Sequence, residues 1–366
     1  MVTTLDTFVF DLHSDVVSDI ALRRGKGERR VLAARHLPSW IKGGIGAAIV
    51  VLWVEPDHRR RPVERLLELL GALLADLAET PEATLATGTN EILSAVEANK
   101  VALVLGAEGL SFLESWPTSA EPDSAVSAVR EEKTRQGLAT LSNCGLRHAI
   151  LAWNETNGFA SATEPGGSDV RTSCHPLQPP GLTAAGRHLI QQFSRLGIAV
   201  DLSHLDEPSF WEVLASYPGP PLASHSNARA LCDVSRNLND AQLKAIARQN
   251  GVIGLNSWPS FVHPTDPSLD RFVDHAVYIA DLVGVEHLAL GFDFTGYLPR
   301  SLTAHLAEAG SKVTPGGLTG PEQVSLLLEA LIRRGFSSKE ITAIAHGNGL
   351  RVLEAAWFAD KNQLRA

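Results

Sequence analysis

Phe8-Val9-Phe10-Asp11-Leu12-His13-Ser14-Asp15 begins as a short apolar run and stops in a cluster of carboxylate and imidazole side chains. A run this short and this apolar reads as a buried strand, and its polar tail as the place where the strand leaves the core. The same figure recurs along the chain, at 8–12, 46–54, 101–105, 148–152, 198–202, 221–223, 252–255 and 287–291. Helical patterns separate the runs, most clearly at 62–79, 183–196, 240–249 and 269–283. Asp206, ahead of Pro208, reads as a helix cap, and Asn239 with Gln242 as a box-like helix start. Strands alternating with helices imply parallel strands joined by crossovers, and eight such units predict an α/β fold of the closed (β/α)8 TIM-barrel type. No glycine-rich dinucleotide fingerprint follows the first run, so a doubly wound nucleotide-binding sheet loses its main support. All of 1–366 is expected to form one barrel domain, closed by C-terminal helices at 321–334 and 338–358. The Gly-, Pro-, Ser- and Thr-rich stretch 158–181 is too long for a plain connection and is expected over the barrel mouth.

With 366 residues, 44% hydrophobic and 20% charged, the chain can bury a large core. A formal charge of −9 leaves no cationic field for phosphate backbones, so nucleic acid is excluded as a partner and a small-molecule substrate is expected. Cys144, Cys174 and Cys232 are widely spaced with no CxxC pair, which argues against a thiolate metal site or a disulfide framework and for a reducing compartment. The N-terminal residues lack a basic segment followed by a long apolar one, and the most apolar helical stretch, 66–77, carries Glu68 and Asp76 and is too short for a bilayer. A cytoplasmic enzyme without membrane attachment is the expectation.

Barrel chemistry sits where strands end. The runs end in Asp11-Leu12-His13-Ser14-Asp15, Gly106-Ala107-Glu108-Gly109, Asp201-Leu202-Ser203-His204, Ser224-His225-Ser226 and Gly291-Phe292-Asp293-Phe294. His13 and Asp15, two apart in an extended segment, should leave on one face and share an ion. With Glu108, His204 and His225 they make three imidazoles and two carboxylates, a set suited to Zn2+ or a similar divalent metal. Five ligands exceed the needs of one open catalytic zinc and point to two ions bridged by a carboxylate. No lysine lies at a run's end, since Lys133 belongs to a helix, so Glu108 is the expected bridge. Asp293 is placed to take a proton from a metal-activated water and return it to the leaving group. Each residue also has a plainer role as a hydrogen-bonded core histidine or a capping aspartate; their joint placement on the strand ends carries the metal reading.

These strand ends resemble those of the membrane (renal) dipeptidase family of zinc peptidases, within the amidohydrolase superfamily. Longer stretches match as well: G-L-T-A-A-G-R at 181–187, R-L-G-I-A-V-D-L-S-H at 195–204, S-H-S-N-A-R-A-L-C-D-V-S-R-N at 224–237 and G-N-G-L-R-V-L at 347–353. The resemblance runs from Asp11 to Leu353. It implies that His13 and Asp15 hold one zinc, His204 and His225 the other, that Glu108 bridges them, and that Asp293 acts on the bridging hydroxide. It implies further that Arg236, eleven residues after His225, pairs with the free C-terminal carboxylate of a dipeptide, that a D-residue is accepted at that position, and that the protein is a homodimer.

The chain departs from the family pattern twice. Where many members read L-T-H-N with a histidine at the substrate carbonyl, this chain reads L-A-W-N and places Trp153, whose indole donates one hydrogen bond and cannot titrate. Thr295 stands where a second aspartate is frequent. A dipeptidase is therefore the expected function, with hydrolysis of another amide, a lactam or a modified peptide as the alternative. A catalytically silent barrel would have lost a ligand, and none is missing.

Overall fold

A computed structural model of the chain describes residues 7–117, 126–163, 180–299 and 317–358. Among the described residues nine strands form: β1 (Val9–Ser14), β2 (Ile45–Trp53), β3 (Ala83–Leu85), β4 (Val101–Glu108), β5 (Leu146–Ile150), β6 (Ala199–Asp201), β7 (Leu222–Ala223), β8 (Val252–Leu255) and β9 (Leu288–Leu290). Eight of them pair in parallel in the order β2-β1-β9-β8-β7-β6-β5-β4, and β4 returns to β2 from Ala47↔Ala102 to Trp53↔Glu108. That closure is the (β/α)8 TIM barrel expected from the alternation. The ninth strand, β3, was not among the expected runs. Its three residues pair with Val101 to Leu103 at the start of β4, and β5 pairs with β4 from Leu105 onward. Three residues carry too little pattern to announce a strand.

Each barrel strand is covered on both faces, which is why the runs read as continuously apolar. On β2, Ala47, Ile49, Val51 and Trp53 join an inner cluster with Ala102 and Val104 of β4, Ala199, Leu222, Val252 and Ala289. The alternate residues Ala48, Val50 and Leu52 face the helices, packing in one cluster with Leu66, Leu69 and Leu73 of the helix Pro62–Ala78. Continued along β4, the inner set Ala102, Val104, Gly106 ends on Glu108, so the two-residue period that fills the barrel also delivers a carboxylate to its mouth.

The expected helices form as Pro62–Ala78, Ala184–Leu196, Asp240–Arg248 and Leu269–Val283. Asp206 caps its helix by accepting from the Ser209 amide, and Asn239 with Gln242 completes a capping box. The C-terminal region folds as Val324–Arg333 and Ser338–Thr342, the latter continued through a π turn into Asn348–Trp357. Asn348 donates to the carbonyls of Val285 and Leu288, Arg351 to those of Asn250 and Glu286, and Trp357 Nε1 to that of Arg147. All these carbonyls lie at the N-terminal ends of strands, so this helix covers the end of the barrel opposite the carboxylates and imidazoles. Most of the expected mouth loop, 164–179, lies outside the described residues, as does Cys174. Among the described residues no helix is long and apolar enough to cross a membrane.

Candidate metal centre

Glu108 stands at the centre of the strand-end cluster. Its Oε1 lies 2.9 Å from His204 Nε2 and 3.7 Å from His225 Nε2, while its Oε2 lies 3.6 Å from His13 Nε2. The two oxygens of one carboxylate thus face different imidazoles. His204 and His225 approach each other at 2.9 Å between their Nε2 atoms, and the His13 and His225 ring centroids lie 3.9 Å apart with the rings tilted by 36°. Donor atoms of His13, Glu108 and His225 fall within 4.8 Å of one another, as do those of His13, Asp15 and Asp293. The structure therefore brings all five expected ligands together and places Asp293 among them.

Asp15 arrives by a different route from the one the spacing suggests. It has left the strand and sits just ahead of the helix Val16–Gly25 with φ −88° and ψ 17°, and its side chain makes no capping bond. Its carboxylate turns back instead, 3.9 Å from His13 Nε2. His204 (φ 67°), Asp293 (φ 57°) and Asn154 (φ 44°) adopt the left-handed backbone. For non-glycine residues this costs on the order of 1–3 kcal/mol each, and such strain gathers where a side chain must be aimed.

Hydrogen bonds behind the donors fix their orientation. His204 Nδ1 donates to Asn154 Oδ1 at 2.7 Å, which leaves the Nε2 lone pair facing Glu108. His225 Nδ1 lies 2.7 Å from Ser224 Oγ, and Asn256 Nδ2 donates to Asp293 Oδ2 at 3.2 Å. The sequence reading assigned no role to these partners. Adjacency was the available signal for Ser224, beside His225, and for Asn154, in L-A-W-N; nothing local marks Asn256.

The electrostatics follow from burial. His13 is pulled down to about 3, and His204 and His225 fall well below the ordinary imidazole range, all chiefly by burial. Burial and then neighbouring carboxylates push Asp15 and Glu108 well above the carboxylate range. Asp293 rises to about 6 through burial, with Arg236 and the Asn256 bond opposing. Neutral imidazoles and buried carboxylates gathered in one place make a setting that a cation would stabilise.

Arg236 is buried, with its guanidinium 3.0 Å from His204 Nε2 and 5.4 Å over the Phe261 ring. Burial lowers it to about 10. Among the described residues no carboxylate lies within salt-bridge distance of it. Trp153 stands half-buried at the rim, 4.9 Å from the Trp53 ring and 6.1 Å from that of His204. Arg59 lies over its indole at 5.5 Å and pairs with Glu155. Trp53, Arg59, Glu108, Trp153 and Glu155 line one small cavity, so Trp153 borders the site. Thr295 accepts from the Leu298 amide in the turn after Asp293.

A parallel barrel that gathers imidazoles and carboxylates at its strand ends defines a metal-dependent hydrolase class. The chain belongs to the membrane dipeptidase family, peptidase family M19, whose model matches residues 4–365. It is thus a metallo-dipeptidase by family, a hydrolase of peptide bonds. It is 34% identical over 222 residues to an uncharacterised protein from the pqqA 5′ region of Klebsiella pneumoniae, covering 58% of this chain and 73% of that one. It is 30% identical over 257 residues to an uncharacterised dipeptidase of Schizosaccharomyces pombe, covering 69% of this chain and 53% of that one. The chain spans about half the length of the fungal dipeptidases it matches. Among solved structures, a Rhodobacter sphaeroides metallopeptidase liganded with a phosphinate mimic of L-Ala-D-Ala superposes with a TM-score of 0.77 at 22% identity, covering 96% of this chain and 100% of that one. The M19 metallopeptidase called dipeptidase AC gives 0.77 at 24% identity, with 96% and 99% covered. Both show the shared fold.

Proposed function

We propose that the protein is a binuclear zinc dipeptidase, and the observation that carries this reading is Glu108, with one oxygen toward His13 and the other toward His204 and His225. The donor set suits the metal. Asp15 Oδ1 is buried with no hydrogen-bond partner among the described residues, a costly state for a carboxylate oxygen unless a cation meets it. His13 and Asp15 would hold one ion, His204 and His225 the other, and Glu108 both. Bound there, zinc supplies Lewis acidity, polarising the scissile carbonyl and activating water near neutral pH. Asp293, oriented by Asn256, takes the proton of the attacking water and delivers it to the leaving amine; a carboxyl near 6 is suited to both halves of that task. Arg236, buried with no carboxylate among the described residues within salt-bridge distance, is suited to the C-terminal carboxylate of a short substrate.

This reading takes the substrates as dipeptides, including those that end in a D-residue, and the enzyme as a cytoplasmic homodimer. The L-Ala-D-Ala mimic bound by the Rhodobacter relative supports the stereochemistry. Trp153 at the rim favours one second reading, hydrolysis of another amide or lactam on the same metals. The test is amine release by the zinc-loaded protein from dipeptides with L- or D-C-termini, beside N- and C-blocked controls and Asp293→Asn. Unblocked dipeptides should be cleaved, and the variant should lose on the order of 10²–10⁴ in kcat. No cleavage with two metals bound would overturn the dipeptidase reading in favour of the second.

A further inference from the structure

Asp201 closes β6 inside the barrel, wholly buried, and is not among the expected ligands. Its Oδ1 accepts from the backbone amides of Ser203 at 2.9 Å and Ser224 at 3.0 Å, and its Oδ2 accepts from His148 Nε2 at 2.7 Å. Ser203 directly precedes His204, and Ser224 directly precedes His225. One carboxylate therefore ties together the two backbone segments that carry this pair of imidazoles.

The sheet does little of that work. β7 has two residues, and β6 meets β7 through the single register pair Asp201↔Leu222. A side-chain acceptor replaces ladder bonds that are not formed, and a hydrogen bond to an ionised acceptor is among the stronger kinds. Burial works against the Asp201 charge, but the His148 bond and the Ser224 and Ser203 donors win and hold the carboxyl below its ordinary range. The His148 ring has its own seat. It faces Gly106 across the β4–β5 register, and a Cβ at Gly106 would fall 2.6 Å from His148 Nδ1. A similar tie exists across the barrel, where Asp11 Oδ1 accepts from the amides of His13 at 3.2 Å and Phe292 at 2.9 Å, joining the segments that bear His13 and Asp293. Among the described residues no imidazole braces Asp11, whereas His148 braces Asp201.

We propose that Asp201, braced by His148, is a positioning residue that sets how tightly the His204–His225 pair holds a divalent cation, separately from the His13–Asp15 end. The inference rests on the two-cation reading above.

The experiment is equilibrium dialysis of the full chain against Zn2+ and Co2+, with Co2+ absorption spectra, for wild type, Asp201→Ala, His148→Ala, His148→Gln and Asp11→Ala. Wild type should bind two ions. Asp201→Ala and His148→Ala should keep one at wild-type affinity and weaken the other roughly 10- to 100-fold, with a changed Co2+ spectrum. His148→Gln, which can still donate one N–H to Oδ2, should recover most of the loss. Asp11→Ala should weaken the opposite ion, and combined with His148→Ala it should weaken both. The proposal is overturned if wild type binds two ions and His148→Ala holds both at wild-type affinity, or if His148→Gln rescues nothing while the barrel remains folded by circular dichroism. A wild type that binds fewer than two ions overturns the two-cation reading itself, which this design separates from failure of the brace.

Discussion

Glu108 and Asp15 occupy places that disfavour their charge, burial being the leading cause, while burial holds His13, His204 and His225 neutral. An incoming cation therefore meets neutral imidazoles and carboxyls whose ionisation burial disfavours. A carboxyl whose metal-free pKa is raised binds metal only after deprotonating, so apparent affinity should climb with pH through that raised range and level off above it. Calorimetric titration of the metal-free protein near neutral pH, in two buffers of different ionisation enthalpy, should show proton release that is reduced in Glu108→Gln. Heats identical in both buffers would contradict this account of the site.

Short elements place these residues, and their ends matter more than their middles. β6 and β7 are three and two residues long, so caps and side-chain ties do what ladders do in longer strands. Thr183 shows the principle at a helix start: its Oγ1 accepts from the Gly186 amide at 2.9 Å and donates to the Gly158 carbonyl at 2.7 Å. The helix Ala184–Leu196 is thereby fastened to the segment that follows β5. Thr183→Ala should lower stability by about 1–2 kcal/mol in denaturant titration, with zinc stoichiometry unchanged. An unchanged midpoint would mean that neighbouring packing alone fixes this helix. Glycines set spacing in the same way. A Cβ at Gly254 in β8, or at Gly291 just beyond β9, would come within 1.9 or 1.8 Å of the Ser224 carbonyl oxygen, so the chain must be bare at both places for the segment bearing His225 to fit.

Across the whole molecule, the site's carboxyls make metal-free stability depend on pH in an unusual direction. Burial raises Asp11 from 3.8 to about 8 and Asp293 from 3.8 to about 6. A carboxyl with a raised folded pKa leaves the folded state holding more protons than the unfolded chain, so stability is full below about 4 and falls as pH rises toward about 8. Asp19 acts oppositely: burial would raise it, but bonds from His36 and Arg23 prevail and depress it, so its contribution is present above 3.8 and lost on acidification below that. Below about 6.5 the buried imidazoles oppose this, since protons bind them more readily in the unfolded chain, so the metal-free barrel should melt at progressively lower temperature only from there toward pH 8, and saturating zinc should flatten or reverse the slope by favouring ionised carboxylates. A chelated protein whose melting temperature rises over that interval would refute this.

The sequence by itself determined the barrel and which strand-end imidazoles and carboxylates the fold gathers at its mouth. Eight apolar runs with polar ends are local signals, and a strand buried on both faces writes its burial into consecutive residues such as Ala47 to Val51. Caps at Asp206 and Asn239 were legible for the same reason, because a cap depends on residues three apart. Tertiary structure decided what depends on contacts between distant segments. It alone turned Asp15 out of the strand and back toward His13, added β3 beside β4, set Asn256 against Asp293, and joined Asp201 to His148 across 53 residues of chain. Those relations arise from the closing of the barrel, which brings remote strand ends within hydrogen-bond reach, and no periodicity along the chain encodes which ends will meet.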